Sequence, residues 1–222
     1  MEYLLILGVT ILITLASQSY ISITYNKTNQ IKSNSGMTGY DTARKILDSN
    51  GLTKVKINEV SGNLTDHYDP RSKTVNLSTE VYRKSSLAAI SVAAHECGHA
   101  IQDKNNYAFL RFRESIIPLV NFASRIGYVV IIISLFASLL KLLWIGIILE
   151  CIILLFQVVT LPVEFNASSR ALKQIVELKI VSHTENRSCR KMLKAAALTY
   201  VAGVAAAVLE ILRLVLIATN DR

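Results

Sequence analysis

Three prolines, nine glycines and a single tryptophan in 222 residues leave few places where this chain is told to turn. Only three cysteines occur, Cys97, Cys151 and Cys189, widely spaced and without a CxxC pair. That excludes a disulfide-stapled scaffold and fits a reducing compartment. Acidic residues are also scarce: 16 Asp and Glu stand against 24 Lys and Arg, a formal net charge of +8. The basic excess is not laid out as a stripe with interleaved aromatics, so it does not imply nucleic acid as a partner. There is no internal repeat and no low-complexity tract. Five Asn-x-Ser/Thr matches, at Asn26, Asn63, Asn76, Asn166 and Asn186, read as chance. Missing too is the even spread of apolar residues found in a soluble domain. The 51% hydrophobic content gathers at residues 3–16, 126–161 and 195–218, which places the chain among membrane proteins. The remainder, about 120 residues in two pieces, is small enough to need a membrane or a metal to order it.

Residues 3–22 are uncharged and just long enough to span a bilayer. No Lys or Arg precedes them and no small-x-small cleavage site ends them, so they read as a retained anchor. Residues 24–35 read as a polar linker. A short amphipathic helix is expected next, with Thr38 as N-cap, Ala43, Ile46 and Leu47 as its apolar face and Gly51 as its stop. Alternation over 55–60 and again over 73–77 predicts strands, with turn signals at Ser61-Gly62-Asn63 and Asp69-Pro70-Arg71. The apolar block 126–161 has one charge before Glu150, namely Lys141. As one helix it would measure about 54 Å against a hydrocarbon core of about 30 Å. Two spans, 117–140 and 143–162, turning near Lys141, fit better. Pro162 then opens a helix over 163–180, a polar segment follows at 182–190, and 195–218 forms the last span.

Four spans put residues 23–116 and 163–194 on one side of the membrane. These pieces carry 13 and 7 of the 24 Lys and Arg, whereas the other side has Lys141 and Arg222. The positive-inside rule makes the two pieces cytoplasmic and turns both termini outward. The expected organisation is an anchor (1–22), a cytoplasmic α+β part (23–116), a transmembrane hairpin (117–162), a cytoplasmic helix (163–194) and a C-terminal span with its tail (195–222).

The chemistry concentrates in His95-Glu96-Cys97-Gly98-His99, within a helical pattern over 85–104. On a helix, residues four apart lie about 40° from each other around the axis, so both imidazoles face one way. They can then reach one tetrahedral Zn²⁺ at about 2.0–2.1 Å. Glu96 falls beside them, where it can take a proton from a water that the metal activates. The uninterrupted apolar stretch before the motif, 87–94, is too short to span, so the motif is expected outside the hydrocarbon. Gly98 permits close approach of another backbone.

Two histidines leave a catalytic zinc one protein ligand short. Asp103, Glu164, His183 and His67 are the candidates. Asp103 stacks on the same helix as both histidines, a poor way to surround an ion. Glu164 stands just where the chain leaves the bilayer on the motif's side. His67 reads as a turn or edge-strand residue and His183 as solvated. Cys97 reads as a filler of a small gap in helix packing rather than a thiolate on zinc. Glu150, Glu210 and Arg213 are charges in spans; the last two, three residues apart, can neutralise each other.

The segment Thr160-Leu-Pro-Val-Glu-Phe-Asn-Ala-Ser-Ser-Arg-Ala-Leu172, taken with Ala93-Ala-His-Glu-Cys-Gly-His-Ala-Ile-Gln102, resembles the YugP-like neutral zinc metallopeptidases of bacterial membranes. Thr38-Gly39, Asp66-His67-Tyr68-Asp69-Pro70 and Ala195-Ala-Ala-Leu-Thr-Tyr-Val-Ala202 add to the likeness, which covers nearly the whole chain. More distantly the chain is similar to the HtpX-type peptidases, whose third ligand is a Glu on a later helix. The resemblance implies His95, His99 and Glu164 as ligands of one Zn²⁺ and Glu96 as general base. The HtpX-type pattern has an Asp one turn after its ligand Glu; here that position is Ser168. Orientation of the ligands would then fall to Asn166 or Ser168. Arg170, His183 and Tyr68 are candidate donors to the oxyanion, and by analogy the strand region 66–77 can pair with an extended substrate.

The expected fold is an α-helical membrane protein of about four transmembrane helices with a small α+β, zincin-like catalytic domain at the membrane surface. The expected activity is endopeptidase cleavage of polypeptides, membrane proteins among the candidates, at the cytoplasmic face of a bacterial cell membrane. The lipid bilayer is the other partner, and the number of copies is left open. Two other classes remain: a catalytically inactive zinc-binding membrane adaptor and a small transporter.

Overall fold

In the computed structural model, which describes residues 2–219, each element follows from its local pattern and several run past the ends that pattern marks. The order is α1 (Glu2–Asn29), α2 (Gly39–Ser49), β1 (Lys56–Val60), β2 (His67–Asp69), β3 (Thr74–Ser78), α3 (Thr79–Arg83), α4 (Leu87–Lys104), α5 (Ala108–Phe136), α6 (Leu140–Glu177) and α7 (His183–Thr219). Arg222, expected opposite the motif with Lys141, lies outside the described residues. The chain forms two compact units. One comprises Tyr20–Leu110 and Val163–Ala197; the other comprises Met1–Ser19, Arg111–Pro162 and Leu198–Arg222.

The first unit is built around α4. Ser86 caps it by accepting the Ala89 N–H at 3.2 Å. Helix α2 packs on α4 through Ala43, Ile46 and Leu47, all fully buried. It begins with a capping box, in which Thr38 Oγ1 accepts the Asp41 N–H and Asp41 accepts the Thr38 N–H. It stops where Gly51 takes φ +67, a left-handed conformation that costs glycine little. The sheet has the order β1-β3-β2, with β1 parallel and β2 antiparallel to β3. The central strand β3 is buried along its whole length, and Val75 and Leu77 join the core against α4. Strand β2, in a segment whose His67 reads from sequence as a turn or edge-strand residue, forms an edge.

Four boundaries differ from expectation, for identifiable reasons. Helix α1 continues to Asn29 instead of giving way to a linker at 24. Its last turns are tied down there: Tyr25 Oη and Asn29 Nδ2 donate to the Glu80 carboxylate at 3.1 and 3.0 Å. The turn between α5 and α6 lies at residues 137–139, ahead of Lys141, with Ser138 at φ 54 and the Leu139 N–H returning to the Ser134 carbonyl at 2.9 Å. No glycine or proline marks it in the sequence. Pro162 does not open a new helix; α6 runs through it, as α5 runs through Pro118. An internal proline costs a helix about 3 kcal/mol. Beyond it, Val163, Ala167, Ala171 and Ile175 form a buried stripe at four-residue spacing, which offsets that loss by holding the following turns in place. The polar segment 182–190 is not a connector but the opening of α7. A second capping box starts it, with the Ser182 N–H donating to Glu185 Oε2 at 2.7 Å and the Glu185 N–H to Ser182 Oγ at 3.3 Å.

The second unit has a small core of Ile131, Leu143, Ile147 and Leu214. Gly146 brings α6 close to α5, since a Cβ there would lie 2.5 Å from Ile131 Cγ1. Arg213 donates to both oxygens of Glu210, from Nε at 2.8 Å and from Nη2 at 2.5 Å, so this pair is internally neutralised. Helices α1, α5, α6 and α7 are each long and apolar enough to cross a membrane. Their outer faces carry exposed Leu4, Leu12, Phe122, Ile148 and Leu212.

Candidate active site

The motif lies well inside α4, where 3.6 residues per turn stack His95 and His99 on one face. Their rings meet edge to face, with centroids 4.8 Å apart. The helix that covers them is α6, and Gly98 sets how near it comes. A Cβ at Gly98 would lie 2.5 Å from the Ala167 carbonyl oxygen, so only glycine admits this crossing. Three residues before Ala167, Glu164 is thereby delivered to the histidines. Its Oε2 lies 3.2 Å from His95 Nε2 and 3.7 Å from His99 Nε2.

These three donors lie within 4.8 Å of one another, and among the described residues no fourth His, Cys, Asp or Glu joins them. Donors held about 2.05 Å from a tetrahedral ion are about 3.3 Å apart, so the spacing suits a small tetrahedral metal with one position open. The ring tautomers fit as well. Gln102, one turn after His99, donates from Nε2 to the Val163 carbonyl at 2.8 Å and to Asn166 Oδ1 at 3.0 Å. Asn166 Oδ1 also accepts Arg170 Nε at 2.7 Å. A guanidinium only donates and a backbone carbonyl only accepts, so the chain of bonds has one polarity. It leaves Gln102 Oε1 as an acceptor 3.0 Å from His99 Nδ1. His99 then carries its proton on Nδ1 and turns the Nε2 lone pair toward Glu164. Ser168 Oγ lies 3.2 Å from His95 Nδ1 and bonds that ring on the side away from Glu164.

Glu96 is buried on α4 beside this group. Burial pushes its carboxyl up to about 7, Glu164 adds to the rise, and His95 and the Tyr68 backbone N–H oppose it. Cys97 is fully buried on the opposite side, where its Sγ donates to the Ala43 carbonyl at 3.6 Å; burial raises its thiol and it takes no part in the group.

The other residues singled out from sequence have separate places. Asn166, Ser168 and Arg170 all lie behind the histidines, Arg170 through Asn166. Tyr68 Oη donates to Asp103 at 2.6 Å, and Lys73 Nζ donates to the same carboxylate. Asp103 is thus neutralised away from the metal-type group. His67 bonds the Thr65 carbonyl and Asn76 within the edge of the sheet. His183 opens α7 and does not join the group. Sequence reasoning missed Gln102 altogether. Its signal was its spacing, three residues beyond His99 on the same helical face.

A family model described as "Putative neutral zinc metallopeptidase" matches residues 3–219. Over 206 residues the chain is 45% identical to a protein of Bacillus subtilis (strain 168) described as "Putative membrane protease YugP", covering 93% of this chain and 92% of that one. No solved structure matches.

Proposed function

Because the chain belongs to that family of neutral zinc metallopeptidases, we propose that it is a membrane-embedded endopeptidase working at the cytoplasmic face of a bacterial membrane. The observation that carries this reading is the meeting of His95 Nε2, His99 Nε2 and Glu164 Oε2 beside a buried Glu96. His95, His99 and Glu164 would hold a zinc ion here, and the chemistry it would supply is Lewis acidity toward a carbonyl oxygen and a water. Glu96 accepts the proton of that water as it attacks and passes it to the amine nitrogen that leaves. Gln102 holds His99 in the tautomer that presents Nε2, and Ser168 bonds His95 Nδ1 on the side away from Glu164. The edge of the sheet at β2 adjoins Glu96 through the Tyr68 backbone, which suits a substrate bound in extended form along that edge. Within the 66–77 region β3 is central, so β2 is the strand that lies at an edge of the sheet. Arg170 and Tyr68 are engaged elsewhere by Nε and by the hydroxyl, so neither is singled out as the oxyanion donor.

In this reading α1, α5, α6 and α7 cross the bilayer, with 23–116 and 163–194 in the cytoplasm. The 20 Lys and Arg on those two pieces support the orientation. Three protein donors leave one position open, which favours a catalytic over a purely structural zinc and so the enzyme over the adaptor.

Zinc content and casein cleavage, measured on the full chain in detergent, test the proposal. Glu96→Gln is expected to keep about one zinc and lose cleavage, and Glu164→Ala to lose the metal. Equal cleavage by all three proteins would sink the enzyme reading. Normal zinc in Glu164→Ala would remove that residue from the ligand set.

A further inference from the structure

Away from the metal-type group, the first three turns of α7 and the facing part of α1 form an open cavity of about 380 Å³. Its lining is Tyr20 from α1 with Arg187, Ser188, Arg190, Lys191 and Lys194 from α7. The four cations fall at spacings of three, four and seven residues, which places them on one helical stripe. None makes an ion pair or a side-chain hydrogen bond among the described residues, and no acid lines the cavity. The nearest acid along the helix, Glu185, is buried and spent: its two oxygens accept the Ser182 and Asn34 N–H groups, each at 2.7 Å.

This arrangement works against helix stability, because like charges three and four residues apart repel. Nothing within the cavity compensates, so the compensating charge is expected from a ligand. The position indicates which kind. After Lys194, α7 has no charged residue until Glu210, and α1 has none between Glu2 and Lys27. The cavity therefore sits where both helices turn from polar to apolar, with a half-exposed tyrosine of the sort found at headgroup level.

We propose that this cavity binds the phosphate of an anionic phospholipid headgroup, with Arg187, Arg190, Lys191 and Lys194 around the phosphate and Tyr20 at the glycerol level. The assignment rests on reading α1 and α7 as spans. It supplies a second, independent anchor that fixes the depth of the catalytic unit at the membrane surface.

The test is binding of dihexanoyl phosphatidylglycerol, dihexanoyl phosphatidylcholine and inorganic phosphate to the full chain in neutral detergent. Wild type is expected to bind the anionic lipid and not the zwitterionic one. Each cation near an anionic headgroup is worth about fivefold, so Arg190→Gln with Lys191→Gln is expected to weaken the anionic lipid by about 30-fold. Zinc content unchanged from wild type shows that the double variant is folded; Lys194→Gln, a single exposed change expected to cost about fivefold, serves if it is not. Equal binding of both lipids, or equal affinity in wild type and variant, overturns the proposal. Displacement by inorganic phosphate at concentrations like those of the lipid reassigns the site to free phosphate and overturns the lipid as its source. Release of the chain from membranes by alkaline carbonate overturns the spanning reading, and the lipid with it, while leaving the zinc and cleavage results to judge the peptidase separately.

Discussion

At the scale of single residues, orientation of the donors matters as much as their identity. Gln102 touches no substrate, yet it alone reads out the one-way hydrogen-bond chain from Arg170 through Asn166 and presents it to His99. Outer partners of this kind are worth about 10–100-fold in metal affinity. Gln102→Ala is therefore expected to lower zinc affinity by that factor in a chelator competition, and Gln102→Glu, which sets an oxygen against the Val163 carbonyl and Asn166 Oδ1, is not expected to restore it. Gly98 acts by what it omits. Alanine in a helix interior normally gains about 1 kcal/mol over glycine. Here its methyl would stand 2.5 Å from the Ala167 carbonyl oxygen, backbone that cannot swing aside. Overpacking of that sort costs about 1–3 kcal/mol. Gly98→Ala should lower the thermal midpoint and loosen zinc, because Glu164 retreats with Ala167; an unchanged midpoint would refute the close crossing.

At the scale of elements, short contacts join the end of α1 to α3 through Glu80. Its carboxylate accepts from Lys84, Asn29 and Tyr25, and chiefly the Lys84 hydrogen bond holds it below the ordinary glutamate range. A lowered folded-state value means that the stabilisation is complete above the unfolded value and is lost as pH falls through the folded one. The difference in midpoint between wild type and Glu80→Gln should thus be present at neutral pH and shrink in acid. A gap that widens in acid would show the sign to be wrong. The same scale explains why α6 survives its proline. Residues 163–175 are held on the α4 side by a continuous buried stripe, and tertiary packing outweighs the local penalty.

For the whole molecule, the orientation proposed from charge is directly measurable. A cysteine at Lys141, near the α5–α6 turn, is expected to react with a membrane-impermeant maleimide added to intact cells. One at Lys73, half-exposed in the unit that holds His95, His99 and Glu164, is expected to react only after permeabilisation. Of the native thiols Cys97 and Cys189 are buried, and Cys151, which is exposed on α6, is replaced by serine before labelling. The reverse pattern would place the catalytic unit outside.

What the sequence by itself determined is what depends on neighbours a few residues apart. His95, Glu96 and His99 share a helical face because 3.6 residues make a turn, Thr38 and Gly51 bound α2 through caps, and the apolar blocks declare themselves by length. Glu164 entered only by family resemblance and a topology argument, for nothing near it in the chain marks it as a metal donor. Its distance from His95 is a property of how α6 crosses α4 at Gly98, and that crossing joins residues about seventy positions apart. The same holds for Gln102, whose role exists only once Val163 and Asn166 arrive beside it, and for the path of α6 through Pro162. Local propensity reads the chain one turn at a time; long-range burial decides which turns are kept and which side chains meet.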